Sequence, residues 1–293
     1  MNKIAVVTDS TANLTPEVAE AHDISIIPLK VHWGDETYVD GVTLSAETFY
    51  QWLAEREETP KTSQPSVGEF IQFFEEVAAR HETDTIFGAF ISAELSGTLA
   101  SAIQAKAELP HLDITLVDTR FVSMGVGFQA LSAARASQAG ASVDEILTRI
   151  QRVRAHTELI FTLDTLEYLR RGGRIGGAAH LVGTLLNLKP LLAIQGGVVE
   201  ALGKSRGRQK SLQVLGETIQ QRLAGRRPAE LAVMHTGAQE DDDVDQVIAW
   251  VTEHLKPQRL YTGLLSPTVG THGGPGAIGI AFHLENGHAK DGA

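Results

Sequence analysis

Apolar residues along the 293-residue chain fall into short continuous runs and longer stretches at helical spacing. The first run, KIAVVT at 3–8, reads as a buried strand. Thr15 and Pro16 then supply an N-cap and a first helical residue whose missing N–H costs nothing. ISIIPLKVHW reads as one strand, and YVDGVTLSAETFYQWLAE as a turn followed by a helix capped by Ser45. In SQPSVGEFIQFFEEVAARH, Ser66 and Glu69 form a capping box, and Val67, Phe70, Ile71, Phe74, Val77 and Ala78 share one apolar face. DTIFGAFIS, LSGTLASAIQAKAEL, DITLVDT and GVGFQALSAARASQ continue as strand, helix, strand and helix, and Ser142 with Glu145 caps VDEILTRIQRVRAH. This alternation predicts a doubly wound, mostly parallel sheet covered by helices on both faces.

Near residue 156 the pattern changes. TELIFTLD is a strand, LEYLRRGGRI a helix end with a glycine turn, AAHLVGTLLN a short helix, and LLAIQGGVVEAL a β-hairpin about Gly196-Gly197. Helices and strands then alternate again as far as RLYTGLL. The expected fold class is therefore α/β in two domains, 1–156 and 157–293, the second with a mixed sheet. The tail ENGHAKDGA is expected to fray.

A 43% hydrophobic and 21% charged composition is that of an ordinary globular protein. The 25 basic and 36 acidic residues leave a net charge of −11, which argues against a general nucleic-acid binder or a binder of anionic membranes. Any anion site must then be a local exception. With no cysteine there are no disulfides and no thiolate chemistry, which fits a reducing cytoplasm. No export signal is visible, and Lys189, Pro190 and a glycine pair break the most apolar stretch, so a cytoplasmic protein without stable membrane insertion is expected.

In a doubly wound sheet, ligands bind beyond the carboxyl ends of the strands. DSTANL, KTSQPS and ISAELSGT should lie there, rich in hydroxyls and without a His or Cys nucleophile. Hydroxyls and helix N-termini bind an anion through neutral hydrogen bonds, which makes Thr62, Ser63, Ser92, Ser96 and Thr98 candidates, with Gly97 between the last two. Ser66 and Ser96 also read as plain helix caps. Thr62 and Ser63 precede Pro65 and are extended, so their hydroxyls are free of that duty. In SPTVGTHGGPGAIGIAF, His272 and Gly273 sit in a glycine-dense loop that can approach another group closely.

No metal-ligand spacing, no G-x-S-x-G elbow and no P-loop occurs. A Ser–His esterase using Ser96 or Ser63 with His272 stays open, as does a phosphotransfer component with His272 as acceptor. Arg170, Arg171 and Arg174 surround Gly172-Gly173, and Lys204, Arg206, Arg208 and Lys210 follow. Either cluster is an anionic-ligand or docking patch, or a solvated basic face.

DSTANL, YVDGVTL, KTSQPS, ISAELSGT, LEYLRRGGRI and HGGPGAIGIAF, in this order along nearly the whole chain, resemble the DegV family, also described as FakB-type fatty-acid-binding proteins. The resemblance implies two α/β domains holding one long-chain fatty acid, such as palmitate, between them, with no cofactor, no metal and no catalytic residue. It implies that Thr62, Ser63, Ser92, Ser96, Gly97, Thr98, His272 and Gly273 surround the carboxylate. It also implies that a separate fatty acid kinase can receive the presented acid, with Asp40, Arg170, Arg171 and Arg174 toward phosphate or partner. The chain departs from the family pattern at Ala93, where a second serine is usual. The tail needs a long apolar slot, for which FIQFF and HLVGTLLNLKPLL are candidates, though core packing explains both segments equally well.

Overall fold

The computed structural model describes residues 3–181, 188–237 and 241–284. In its first half the order is β1 (Ile4–Asp9), α1 (Pro16–Ala21), β2 (Ile24–Ile27), β3 (Lys30–Trp33), β4 (Glu36–Val39), α2 (Ala46–Glu55) and β5 (Lys61–Ser63). There follow α3 (Val67–His81), β6 (Thr85–Phe90), α4 (Thr98–Ala107), β7 (Asp113–Asp118), α5 (Met124–Gln138) and α6 (Val143–Ala155). The second half contains β8 (Thr157–Thr162), α7 (Glu167–Arg171), β9 (Leu188–Gln195), β10 (Val198–Arg206), α8 (Arg208–Leu223) and β11 (Glu230–His235). It closes with α9 (Asp241–Trp250), β12 (Arg259–Leu264), α10 (Pro267–Gly273) and β13 (Ile278–His283).

Three sheets result. β2-β1-β6-β7 are all parallel, β10-β9-β8-β13-β11-β12 form a mixed sheet, and β4-β3-β5 form a small antiparallel sheet. The fold is thus α/β with one parallel and one mixed sheet. The expected division at 156/157 falls at the α6–β8 junction, yet one apolar core runs across it, from Ile4 and Phe87 to Met234 and Ala281. Its centre is α5, buried along most of its length and packed against both β1 and β13. A helix apolar all round belongs inside, and the Gly- and Ala-rich sequence of α5 lets two sheets close on it.

The helix starts follow local chemistry. Thr15, Ser45, Ser66 and Ser142 each accept a backbone N–H in the first turn, and Ser66–Glu69 and Ser142–Glu145 complete reciprocal capping boxes. Phe70, Phe74 and Val77 bury one face of α3 against Ile86 and Phe90. The Gly196-Gly197 turn joins β9 to β10 antiparallel, both glycines at positive φ.

Four expectations need correction. ISIIPLKVHW is two strands in different sheets, because the chain turns at Pro28 and Leu29 and the second strand pairs with β4 and β5. His272 stands in the last turn of a short helix, α10, started by Ser266 and Pro267, and only Gly274 onward is loop. FIQFF packs into the core between α3 and the parallel sheet and does not line the ligand-sized cavity described below. The helix expected over AAHLVGTLLN is a 3-10 turn at Gly176–Leu181; its remainder, like the tail ENGHAKDGA, lies outside the described residues.

Candidate functional site

A cavity of about 950 Å³, mouth included, lies where the carboxyl ends of β1 and β6 meet the second half of the chain. Its apolar walls come from both halves: Ile91 and Leu95 beyond β6, Phe161 on β8, Ile194 on β9, Met234 on β11 and Ile278 on β13. Thr62, Ser63, Gln64, Ser96, Arg174 and His272 bring polar groups to it. A large, mostly apolar space with a few converging polar groups is the usual form of a small-molecule site.

β5 explains how two adjacent hydroxyls serve this site. Thr62 and Ser63 are consecutive in a strand, so they point to opposite faces. Thr62 Oγ1 meets His272 Nε2 at 2.9 Å, while Ser63 Oγ meets His32 Nε2 at 2.7 Å. The His272 ring is wedged against Gly172, where a Cβ would lie only 2.1 Å from Nδ1. Burial, and secondarily the charge of Arg174, hold the His272 imidazole down at about 4, so at neutral pH it is uncharged. Nδ1 is buried without a hydrogen-bond partner. Arg174 donates to the carbonyl of the same Gly172 at 2.7 Å and to Leu95 O at 2.9 Å. With a positive charge on that side, a lone pair on Nδ1 is favoured over an N–H. We therefore assign the proton to Nε2, which donates to Thr62 Oγ1 and leaves the Thr62 hydroxyl proton for a ligand.

The other expected residues divide. Gly273 and Ser96 border the cavity, and Gly97 lies beside it, against the Gln64 side chain. Thr98 is buried and shares a 2.8 Å hydrogen bond with Ser96. Ser92 is fully buried outside the lining and donates to Gly197 O at 2.8 Å, tying the loop after β6 to the β9–β10 turn. Ala93 is exposed and also outside the lining, so the family's missing hydroxyl stands away from the cavity.

Asp40 is not on an open surface. It is 2% exposed, accepts from Ser10 at 2.7 Å, and faces Ser266 and Thr268 at the start of α10. Burial pushes its carboxyl above the usual range. Arg170 and Arg171 are exposed and both pair with Glu167, so only Arg174 of that cluster turns inward. In the second basic cluster, Arg208 is held by Asp243 at 2.9 Å and Gly276 O at 2.6 Å.

Sequence reasoning missed His32 and Gln64, and also Thr11, Ser123 and Thr268 on the cavity wall. The signal for His32 is cross-strand register, which exists only once β3 and β5 pair. Ser63 and Ser96 are hydrogen-bonded to His32 and Thr98 and not to His272, and an imidazole held at about 4 is a weak base at neutral pH. Among the described residues no group of three or more His, Asp or Glu could hold a metal ion. The same residues contain no helix long and apolar enough to cross a membrane.

The chain is thus a three-sheet α/β protein with a mostly apolar cavity at which two hydroxyls and a neutral histidine meet. The DegV family model, described as an uncharacterised protein family, matches residues 3–285, and the chain belongs to that family. A DegV domain-containing protein of Deinococcus radiodurans is 40% identical over 95% of this chain and 98% of its own. The structure of a DegV family protein from Thermus thermophilus, described by its fatty acid binding, superposes with a TM-score of 0.89 at 33% identity, covering 97% of this chain and 100% of that one. DegV of Bacillus subtilis, described as a fatty acid binding protein, superposes with a TM-score of 0.88 at 30% identity over 97% and 100%.

Proposed function

We propose that this protein is a carrier of one long-chain fatty acid and not an enzyme in its own right. The observation that carries the reading is the placement of Thr62 and Ser63, each backed by an imidazole, on the wall of a mostly apolar cavity. The similar proteins described as fatty acid binding support it. Two hydroxyls match the two oxygens of a carboxylate, with Ser96 and Gly273 bordering the same space and the Arg174 charge nearby. Ser92 and Thr98 support that end of the cavity through Gly197 and Ser96.

The energetics favour an acyl chain. Burying about fifteen methylenes at roughly 0.8 kcal/mol each yields about 12 kcal/mol before costs. Association and ordering remove roughly a third of this, leaving about 8 kcal/mol, which is micromolar binding. Hydrogen bonds to the carboxylate, at roughly 1.5–3 kcal/mol each, mainly offset its desolvation and fix its orientation.

We read the protein as cytoplasmic and as presenting its ligand to a separate fatty acid kinase that forms the acyl phosphate. Arg170 and Arg171, exposed on the helix leading into the turn under His272, would meet that partner beside the carboxylate. Denaturing extraction of the purified protein followed by mass spectrometry tests the carrier reading. Co-purified fatty acid is expected, and lipid-free protein that also fails to take up added palmitate would overturn it.

A further inference from the structure

Ser63 has one hydroxyl proton, and His32 decides where it goes. In the β3–β5 pairing Lys30 stands opposite Ser63 and His32 opposite Lys61, so His32 is the diagonal neighbour of Ser63 on one face. On the other side of β3, Thr37 of β4 stands directly opposite His32. The imidazole bridges the two: Nδ1 lies 2.9 Å from Thr37 Oγ1 and Nε2 lies 2.7 Å from Ser63 Oγ.

A neutral imidazole carries one N–H, so two arrangements are available. If Nδ1–H donates to Thr37, then Ser63 must donate to Nε2 and turns only lone pairs toward the cavity. If Thr37 donates to Nδ1, then Nε2–H donates to Ser63 Oγ and the Ser63 proton is free for the cavity. A bound carboxylate repels the first and is hydrogen-bonded by the second. Hydrogen bonds to an ionised acceptor are roughly twice as strong as neutral ones, so the anion itself selects the second.

We propose that His32 is a positioning residue for the headgroup, a Thr37–His32–Ser63 relay that turns the Ser63 hydroxyl into a donor and favours an anionic long-chain ligand over a neutral one. The inference rests on the reading that the cavity holds a fatty acid carboxylate. With it, β5 presents two consecutive donors, Thr62 backed by His272 and Ser63 backed by His32, from its two faces. The second histidine stands on the strand β3, whereas the first stands on the helix α10, and it owes nothing to the glycine-rich segment.

The test is equilibrium binding of palmitate and of the corresponding neutral C16 alcohol to wild type, His32→Ala, His32→Gln, Ser63→Ala and the His32→Ala/Ser63→Ala double variant. Each alanine variant is expected to bind palmitate about tenfold more weakly, and the alcohol within about threefold of wild type. The double variant should bind palmitate no more weakly than Ser63→Ala alone, because His32 acts through Ser63. His32→Gln should recover most of the loss, since its amide N–H can donate to Ser63, and it keeps the test in hand should His32→Ala fold poorly. Wild-type affinity in His32→Ala, additive losses in the double variant, or equal losses for acid and alcohol would overturn the relay alone. Wild-type protein that takes up neither ligand would overturn the carrier reading and the relay with it.

Discussion

A single methyl group at residue 172 is expected to cost affinity without costing the fold. Gly172 has φ −74 and ψ −9, which alanine adopts freely. Its added Cβ, however, would stand 2.1 Å from Nδ1 and 2.7 Å from Cε1 of His272. Carbon contacts relax at about 3.5–4.0 Å, so the ring must withdraw by more than about 1 Å. That breaks the 2.9 Å bond to Thr62. The bond contributes about 0.5–1.5 kcal/mol to stability, while Gly→Ala at a compatible position returns about 0.4–1 kcal/mol through the unfolded chain. The two nearly cancel, and the unfolding midpoint should stay close to wild type. Binding has no such offset: a Thr62 hydroxyl freed from its orienting imidazole should lose about 1.4 kcal/mol of its contact to the carboxylate, tenfold in Kd. Gly173→Ala is the matched control. Gly173 has φ +70 and no atom within 4 Å of its missing Cβ, so alanine there strains the backbone by about 1–2 kcal/mol and leaves His272 untouched. Calorimetric titration of palmitate and thermal unfolding of both variants should therefore separate, affinity falling in one and stability in the other. Wild-type affinity in Gly172→Ala would refute the claim that the glycine holds the Thr62–His272 pair in place.

Thr62→Val keeps the shape of the side chain but leaves His272 Nε2 without its partner; it should weaken palmitate about tenfold and lower stability by about 1–3 kcal/mol, and unchanged calorimetric affinity would refute the role of Thr62. Ser92→Ala leaves the Gly197 carbonyl unpaired, so urea unfolding should show a loss of about 1–3 kcal/mol with palmitate affinity within about threefold; the reverse pattern would place Ser92 on the ligand instead. Burial holds His272 down at about 4, so its stabilisation is complete above about 6.5 and lost as pH falls toward 4; burial holds Asp9 up at about 6, so its stabilisation is complete below about 3.8 and lost as pH rises toward 6. These opposed slopes, each up to about 3 kcal/mol, largely cancel between pH 4 and 6, so urea midpoints should rise with pH across that window in Asp9→Asn and fall in His272→Asn, and profiles parallel to wild type would refute the assignment.

What was legible in the chain was what local chemistry decides. A capping box closes within four residues, so Ser66–Glu69 and Ser142–Glu145 could be read directly, as could the apolar face of α3 and the Gly196-Gly197 hairpin. The third sheet was hidden because Pro28 in IPLK reads as lying within one strand; it marks the turn after which β3 leaves β2 to pair with β4 and β5. Glycine density suggested a loop around His272, whereas the Ser266–Pro267 start signal made a helix, and the glycines serve close packing: Gly270 admits Tyr50 and Gly274 admits Tyr168. The roles of Ser92, Ser63 and Asp40 depend on partners 105, 31 and 30 residues away, which no spacing rule reaches. Asp40 in particular reads as a surface turn residue and is instead sealed beneath α10.

Among the described residues Arg174 is the one arginine or lysine on the cavity wall, and this scarcity of cations follows from the balance of terms. A carboxylate gripped by an arginine fork would gain strong directed bonds, but the same fork must be desolvated before the acyl chain seals the site. Here Arg174 brings its charge to the cavity wall with Nε and Nη1 already engaged by the carbonyls of Leu95 and Gly172. That charge also disfavours a protonated His272, which keeps the ring neutral and lets it fix the direction of one hydroxyl. The headgroup is then met by neutral donors whose orientation is set in advance, and affinity comes from the tail. On the proposed reading, such a site would hold its ligand firmly along the chain and lightly at the carboxylate, which suits a carrier that presents that end to a kinase.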